Sequence, residues 1–207
     1  MRFIVVLLLS ATTACAQESR LWAPLKTYSD PARGVSFQYP ASWEAATQFG
    51  YNPGALSTDE TKLVAGFGFV IEQGQGKRID IVDGNAFVEG FGIVYSAVPA
   101  NNATACDGVA RKLLDDQPSG KTKHVKFGGI TYATYDGSQA GMNQPTEGTL
   151  YATFRRGTCF LFETDEATVT MAVFDEDDVS TRTAVAIKPS RSISTHLLDV
   201  MKSVRIR

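Results

Sequence analysis

The sequence predicts an α+β fold, a mostly antiparallel sheet flanked by a few helices. Three observations carry this. Short stretches alternate apolar with polar residues, as at Val35, Phe37 and Tyr39. Two tight-turn signals, Gly128-Gly129 and Arg155-Arg156-Gly157, each lie between such stretches. Residues 103–117 hold a sustained helical stripe. A period of two places alternate side chains on one face of a strand, and a period near 3.6 places them on one face of a helix.

Taken in order, residues 17–32 are polar with scattered Trp22, Leu25 and Tyr28, and read as a lead-in segment. The strand of Val35, Phe37 and Tyr39 ends at Pro40, and Trp43 follows on a turn. Residues 50–60 read as a loop, with Pro53, Gly54 and Asp59. Leu63 to Ile71 reads as a strand covered on both faces. Gly74-Gln75-Gly76-Lys77 reads as a turn, after which Ile79 and Ile81 resume a strand. Phe87 to Val98 is long enough for a helix, but two glycines and its β-branched residues favour an extended or mixed segment. In residues 103–117, Cys106, Val109, Ala110, Leu113 and Leu114 share a face, Asn102 or Thr104 caps the start, and Pro118-Ser119-Gly120 stops the helix. Val125 and Phe127 form a hairpin with Ile130 and Tyr132. A polar, glycine-containing loop is expected from Asp136 to Gly148. Thr149–Phe154 and Cys159–Thr164 form a second hairpin, Thr168–Phe174 a further strand, and residues 194–203 a helix with Leu197, Leu198 and Met201 inward. Val204 and Ile206 close a last strand.

The first sixteen residues have another purpose. Met1-Arg2 is basic, Phe3 to Leu9 is unbroken apolar, and Ser10 to Ala16 is small and polar. That is the layout of a secretory signal peptide. The run is too short to span a bilayer, which takes ~20 apolar residues. Two processing routes are open. Ala14-Cys15-Ala16 satisfies the small-x-small rule for cleavage before Gln17. Thr12-Thr13-Ala14-Cys15 also resembles the bacterial lipobox, in which Cys15 is acylated and anchors the chain to the membrane. Residues 17–207 then form a single domain, exported to the periplasm or beyond, with no transmembrane segment.

An oxidising compartment pairs thiols. With Cys15 in the leader, Cys106 and Cys159 remain, and a bridge between them is expected. It would add roughly 3–4 kcal/mol on the chain-entropy model. The alternative is two separate buried thiols.

Hydrophobic residues are 43% of the chain and charged residues 20%, the balance of a chain that buries a core. The formal charge of −2 excludes the strongly basic character of a nucleic-acid binder.

Gly34-Val35-Ser36-Phe37-Gln38-Tyr39-Pro40-Ala41-Ser42-Trp43 resembles the opening strand and turn of the PsbP-like superfamily. The segment from His196 to Ile206 is similar to that family's last helix running into its last strand. The resemblance implies an α-β-α sandwich, and binding and scaffolding rather than catalysis. Phe37, Tyr39, Pro40 and Trp43 match the motif, with roles in packing and turn formation.

Catalytic signatures are sparse. Gly66-Phe67-Gly68, Gly74-Gln75-Gly76 and Gly90-Phe91-Gly92 do not extend to a dinucleotide fingerprint, and Gly120-Lys121-Thr122 has Asp115 where a phosphate loop needs glycine. His124 and His196 join no metal-ligand spacing. No cofactor and no metal is expected. Asp175-Glu176-Asp177-Asp178 reads as a solvated acidic turn, although oxygen ligands so spaced suit calcium. Arg155-Arg156 on a hairpin tip suits an anion or a partner's carboxylate.

The leading expectation is an exported, non-enzymatic binding or scaffolding domain of the bacterial envelope, its partner a protein or an envelope component. Two alternatives stand beside it. One is a secreted hydrolase using Asp165, Glu166 and Asp175; the other is an enzyme inhibitor that inserts loop 136–148 into its target.

Overall fold

The structure is a computed structural model, and it describes residues 22–49, 54–56, 63–70, 80–83, 86–114, 122–141, 144–170, 184–186 and 192–207. Residues 1–16 with Cys15, Gly74–Lys77, Ile79, Pro118-Ser119-Gly120 and the acidic run at 175–178 lie outside the described residues.

The described chain is α+β. A three-stranded sheet holds β1 (Leu25–Asp30), β2 (Val35–Pro40) and β12 (Arg205–Ile206) in the order β1-β2-β12. A nine-stranded sheet follows the path β11 (Ala184–Ala186), β5 (Asp80–Asp83), β6 (Ala86–Pro99), β10 (Thr158–Thr170), β9 (Gln144–Arg155), β8 (Ile130–Gly141), β7 (Lys123–Phe127). Strands β3 (Glu44–Ala45) and β4 (Leu63–Val70) join it through β6. The pairings are antiparallel except β11 on β5. The two helices are α1 (Ala103–Leu113) and α2 (Ile193–Ser203).

Each face of the large sheet is covered by a different layer. On one face, Phe91, Tyr95, Tyr132 and Phe162 pack against Val35 and Phe37 of the small sheet and Leu197 and Met201 of α2. On the other, Val94, Leu150 and Leu161 pack against Cys106 and Ala110 of α1 and against Phe49 and Leu56. The alternation along β10 divides the two: Phe160 and Phe162 face the first layer, Cys159 and Leu161 the second.

Several expectations are borne out with sharper bounds. β2 spans the predicted strand, and Trp43 beyond it is 2% exposed. Tyr39 is half-buried, its ring stacked on Phe67 at 4.3 Å. β4 matches the strand expected from Leu63, though its side chains are mostly half-buried rather than covered on both faces. α1 is capped by Asn102, whose Oδ1 accepts from the Ala105 amide at 2.8 Å, and closes with Arg111 and Lys112 against the negative end of its dipole. Both hairpins turn where expected. Gly128 and Gly129 have φ of 53° and 83°, and Arg156 and Gly157 have 49° and 76°, the paired positive values that match a two-residue turn to the twist of its strands. In α2, Leu197 and Met201 are buried with Ile193 and Val200, while Leu198 is half-buried.

Three expectations are corrected, and the extended reading of Phe87–Val98 is borne out. The lead-in segment contains β1, whose residues are mostly exposed and so carry no alternating signal; its pairing with β2, from Leu25 opposite Pro40 to Asp30 opposite Val35, makes it a strand. The loop expected from Asp136 to Gly148 is instead the outer part of the β8–β9 hairpin, paired from Asp136 opposite Thr149 to Gly141 opposite Gln144. Polar side chains and glycines hid it, since an exposed ladder needs no apolar face. Phe87–Val98 is one continuous strand, β6. Phe49 explains Gly92 of β6 and the facing Gly68 of β4, since its ring lies where their Cβ atoms would stand, at 2.4 and 2.1 Å. Thr168–Thr170 is the end of β10 rather than a separate strand.

Cys106 and Cys159 form the expected disulfide, with Cα atoms 5.1 Å apart and a sequence separation of 53. It ties α1 to the centre of the large sheet. Reduction is expected to cost roughly 3–4 kcal/mol, a fall in Tm of about 10 °C for a domain of this size. Calorimetry with and without reductant measures the fall. Two titratable thiols in the folded, unreduced protein would remove the clamp.

Candidate functional site

The two sheets meet in a groove of about 700 Å³, formed by the β1–β2 turn, the end of β12 and the β9–β10 turn. Four arginines line it: Arg33, Arg155, Arg156 and Arg207. Each is placed by local backbone geometry. Arg33 sits in a turn whose Gly34 has φ of 68°, and a Cβ at Gly34 would come within 3.3 Å of the Arg207 carbonyl. Arg155 and Arg156 are at the tip of the β9–β10 hairpin. Arg207 is held beside Gly34 by its amide, which donates to the Gly34 carbonyl at 3.0 Å.

The single side-chain carboxylate lining the groove is already engaged. Asp30, 8% exposed, accepts from the Arg33 amide at 3.2 Å and from Arg33 Nη1 at 3.0 Å. That hydrogen bond also raises the Arg33 pKa above its ordinary value, so the guanidinium stays charged. Arg155 Nη1 donates to the Ile206 carbonyl at 3.1 Å, which fixes the hairpin tip against β12. The guanidinium groups of Arg156 and Arg207 have no hydrogen-bond or ion-pair partner among the described residues. The positive field of Arg155 and Arg205 reaches the Tyr132 hydroxyl, although burial still pushes its pKa up to about 12. Ser29, Ser36 and Thr158 add hydroxyls, and Val35, Phe160 and Ile206 form an apolar floor. The groove can therefore hold an anion by charge and by forked hydrogen bonds.

A second groove, about 570 Å³, lies beside the start of α2 and has the opposite sign. Asp136, Glu147 and Glu166 line it with the hydroxyls of Ser138, Thr149 and Ser194. Asp136 pairs there with Lys123 at 3.1 Å.

The opposite face holds two buried carboxylates, Glu163 and Asp165, 4% and 2% exposed. They lie two residues apart on β10 and so point the same way. Glu163 accepts from the amides of Ala55 at 2.9 Å and Leu56 at 2.7 Å. Asp165 is packed between Gly54 and Gly148, where a Cβ would come within 2.3 and 2.2 Å of its oxygens. Burial raises the pKa of both groups. The two amides partly offset this at Glu163, whereas the Glu163 charge raises Asp165 further.

This geometry settles the placement of the predicted residues. Arg155 and Arg156 are on the tip, joined there by Arg33 and Arg207, which no sequence pattern connects to them. Asp165 and Glu166 do not converge, because neighbours on a strand face opposite sides; Asp165 is sealed in the core with Glu163, and Glu166 lines the second groove. Asp175 lies outside the described residues. Residues 136–141 and 144–148, the segment considered as an inhibitory loop, form a paired hairpin ladder. Tyr132, Tyr135, Tyr151, Phe160 and Phe162 are core, as expected, and Phe154 packs at the core's edge. Glu163 went unread, although its place in the alternation Cys159, Leu161, Glu163, Asp165 marked both carboxylates as inward-facing. No group of three or more metal-ligating side chains occurs among the described residues, and no described helix is long and apolar enough to cross a membrane.

No family model matches the chain, and no curated protein matches it. Solved structures do. The chain is similar to the cyanobacterial PsbP (CyanoP) of Synechocystis sp. PCC 6803, at 17% identity and a TM-score of 0.44 over 89% of this chain and 94% of that one. It is also similar to LpqN, described as involved in cell envelope biogenesis of Mycobacterium tuberculosis, at 11% identity and a TM-score of 0.42 over 89% and 92% of the two chains. A protein of Bacteroides thetaiotaomicron VPI-5482 matches at 15% identity and a TM-score of 0.41 over 88% of this chain; the match spans 48% of that protein's length.

Proposed function

We propose that the protein is an exported, non-enzymatic binding domain of the cell envelope whose ligand is anionic and sits in the arginine groove. The observation that carries this reading is the concentration of four guanidinium groups in one groove of a chain whose formal charge is −2. A net negative protein gains no general attraction for anions, so such a local field implies a local purpose. The leader at residues 1–16 and the Cys106–Cys159 bridge support export. The burial of Glu163 and Asp165 argues against their use as a hydrolytic pair, because a substrate cannot reach them.

At pH 7 and low salt the purified protein is expected to be retained on a sulfonate matrix despite its net charge. The double variant Arg156→Glu, Arg207→Glu is expected to pass through. Wild-type protein eluting in the void would overturn the anion-binding reading. Intact mass of the envelope and medium fractions tests export: a chain beginning at Gln17, or one lipidated on Cys15, is expected. A full-length chain confined to the cytoplasm would overturn it.

A further inference from the structure

The charged groups left free in the groove are hydrogen-bond donors, and this bears on the chemistry of its ligand. Four of the backbone carbonyls around it already accept a hydrogen bond. Asp30 O accepts from the Arg33 amide at 3.3 Å, Pro31 O from Gly34 at 3.4 Å, Gly34 O from Arg207 at 3.0 Å, and Ile206 O from Arg155 Nη1 at 3.1 Å. The Asp30 carboxylate is held by Arg33 and faces the Tyr95 hydroxyl at 3.5 Å. An extended peptide brings an amide donor at every residue, each needing an acceptor once it leaves water. Its ordinary route, strand addition to the edge of β12, is obstructed where Arg155 takes the Ile206 carbonyl. A phosphate-bearing ligand brings acceptors only, and these match guanidinium forks.

Size and spread give the valency. A volume of about 700 Å³ far exceeds one inorganic anion. The arginines stand on three separate chain segments around the rim rather than converging on one point.

We propose, resting on the anion-binding reading above, that the groove binds a ligand carrying several phosphate groups, either as a soluble phosphate polymer or as clustered phospholipid headgroups. Arg156 and Arg207 supply the free donors, and Arg33 and Arg155, already tethered, hold the walls.

The test is titration calorimetry at low salt with tripolyphosphate and, separately, poly-L-glutamate of comparable charge. Tripolyphosphate is expected to bind at least ten-fold tighter. Arg156→Asn and Arg207→Gln are each expected to weaken it by roughly ten-fold, the size of losing a hydrogen bond to a charged group. Asn takes positive φ more readily than Arg, so Arg156→Asn keeps the turn, and an unchanged Tm shows that binding alone was lost. Sedimentation with phosphatidylglycerol vesicles, against phosphatidylcholine vesicles as control, separates the sources. Pelleting with the anionic vesicles that tripolyphosphate reverses assigns headgroups; tripolyphosphate binding without pelleting assigns a soluble polymer. Equal affinity for poly-L-glutamate would overturn the phosphate assignment and leave the anion-binding reading intact. Binding of neither probe would overturn both, and binding unaltered by the two variants would place the ligand elsewhere.

Discussion

Replacing Trp43 with alanine is expected to cost about 3–5 kcal/mol of stability, the range for large aromatic truncations in a core. The ring is 2% exposed and lies edge-on to Phe91 at 5.8 Å and to Trp22 at 6.3 Å. It therefore joins the turn after β2, the N-terminal segment and the central strand β6. Its indole N–H is buried with no hydrogen-bond partner among the described residues, so the loss comes from packing and not from a broken polar contact. Trp43→Phe should accordingly cost far less than Trp43→Ala. Urea denaturation measures both. A loss below 1 kcal/mol for alanine would show that the ring is exposed in solution and free to bind a ligand.

Stability is expected to fall as pH rises from mildly acidic to alkaline values, because Glu163 and Asp165 are buried with raised pKa values. Between the ordinary carboxylate range and those raised values, the folded chain binds more protons than the unfolded chain. Stability must then decrease with pH, by about 1.4 kcal/mol per pH unit for each proton retained. The protection is complete below the ordinary range and is lost as pH climbs through the folded pKa. Asp165→Asn mimics the protonated form that burial favours; the variant should flatten the profile and equal or exceed the parent above neutral pH. Glu163→Gln should instead lower stability. An amide has one acceptor oxygen, and its NH₂ would face the Ala55 or Leu56 amide, at a cost of about 1–3 kcal/mol. Urea midpoints between pH 4 and 9 check both variants. A parent that gains stability from pH 5 to 8 would contradict the assignment.

The anion groove and the carboxylate pair were legible to different degrees. Arg155-Arg156 stood out because a two-residue turn between alternating strands is a local signal. Arg33 and Arg207 did not, since they lie 122 and 52 residues from Arg155 in the chain and meet it only through the packing of the small sheet on the large one. Glu163 and Asp165 lay in a readable alternation, but burial of a carboxylate contradicts the usual preference for solvent. What hides them is the segment at 54–56, which carries no sequence signal for lying over β10.

The sequence by itself determined the elements whose signals are local: α1 from its stripe and Asn102 cap, the two hairpins from their turns, β2 and α2 from their periodicity. It also led to the disulfide, because an oxidising compartment with two remaining cysteines leaves one pairing. Only the tertiary structure decided that residues 25–30, 136–141 and 144–148 are strands. Their side chains are exposed or polar, and an edge or outer ladder is held by backbone pairing that leaves no periodic trace. It decided too that β6 is one unbroken strand, because Phe49 fills the space its Gly92 leaves open. The groove belongs to the same class: its charge comes from residues far apart in sequence, and no periodicity within one segment can report a contact made between two.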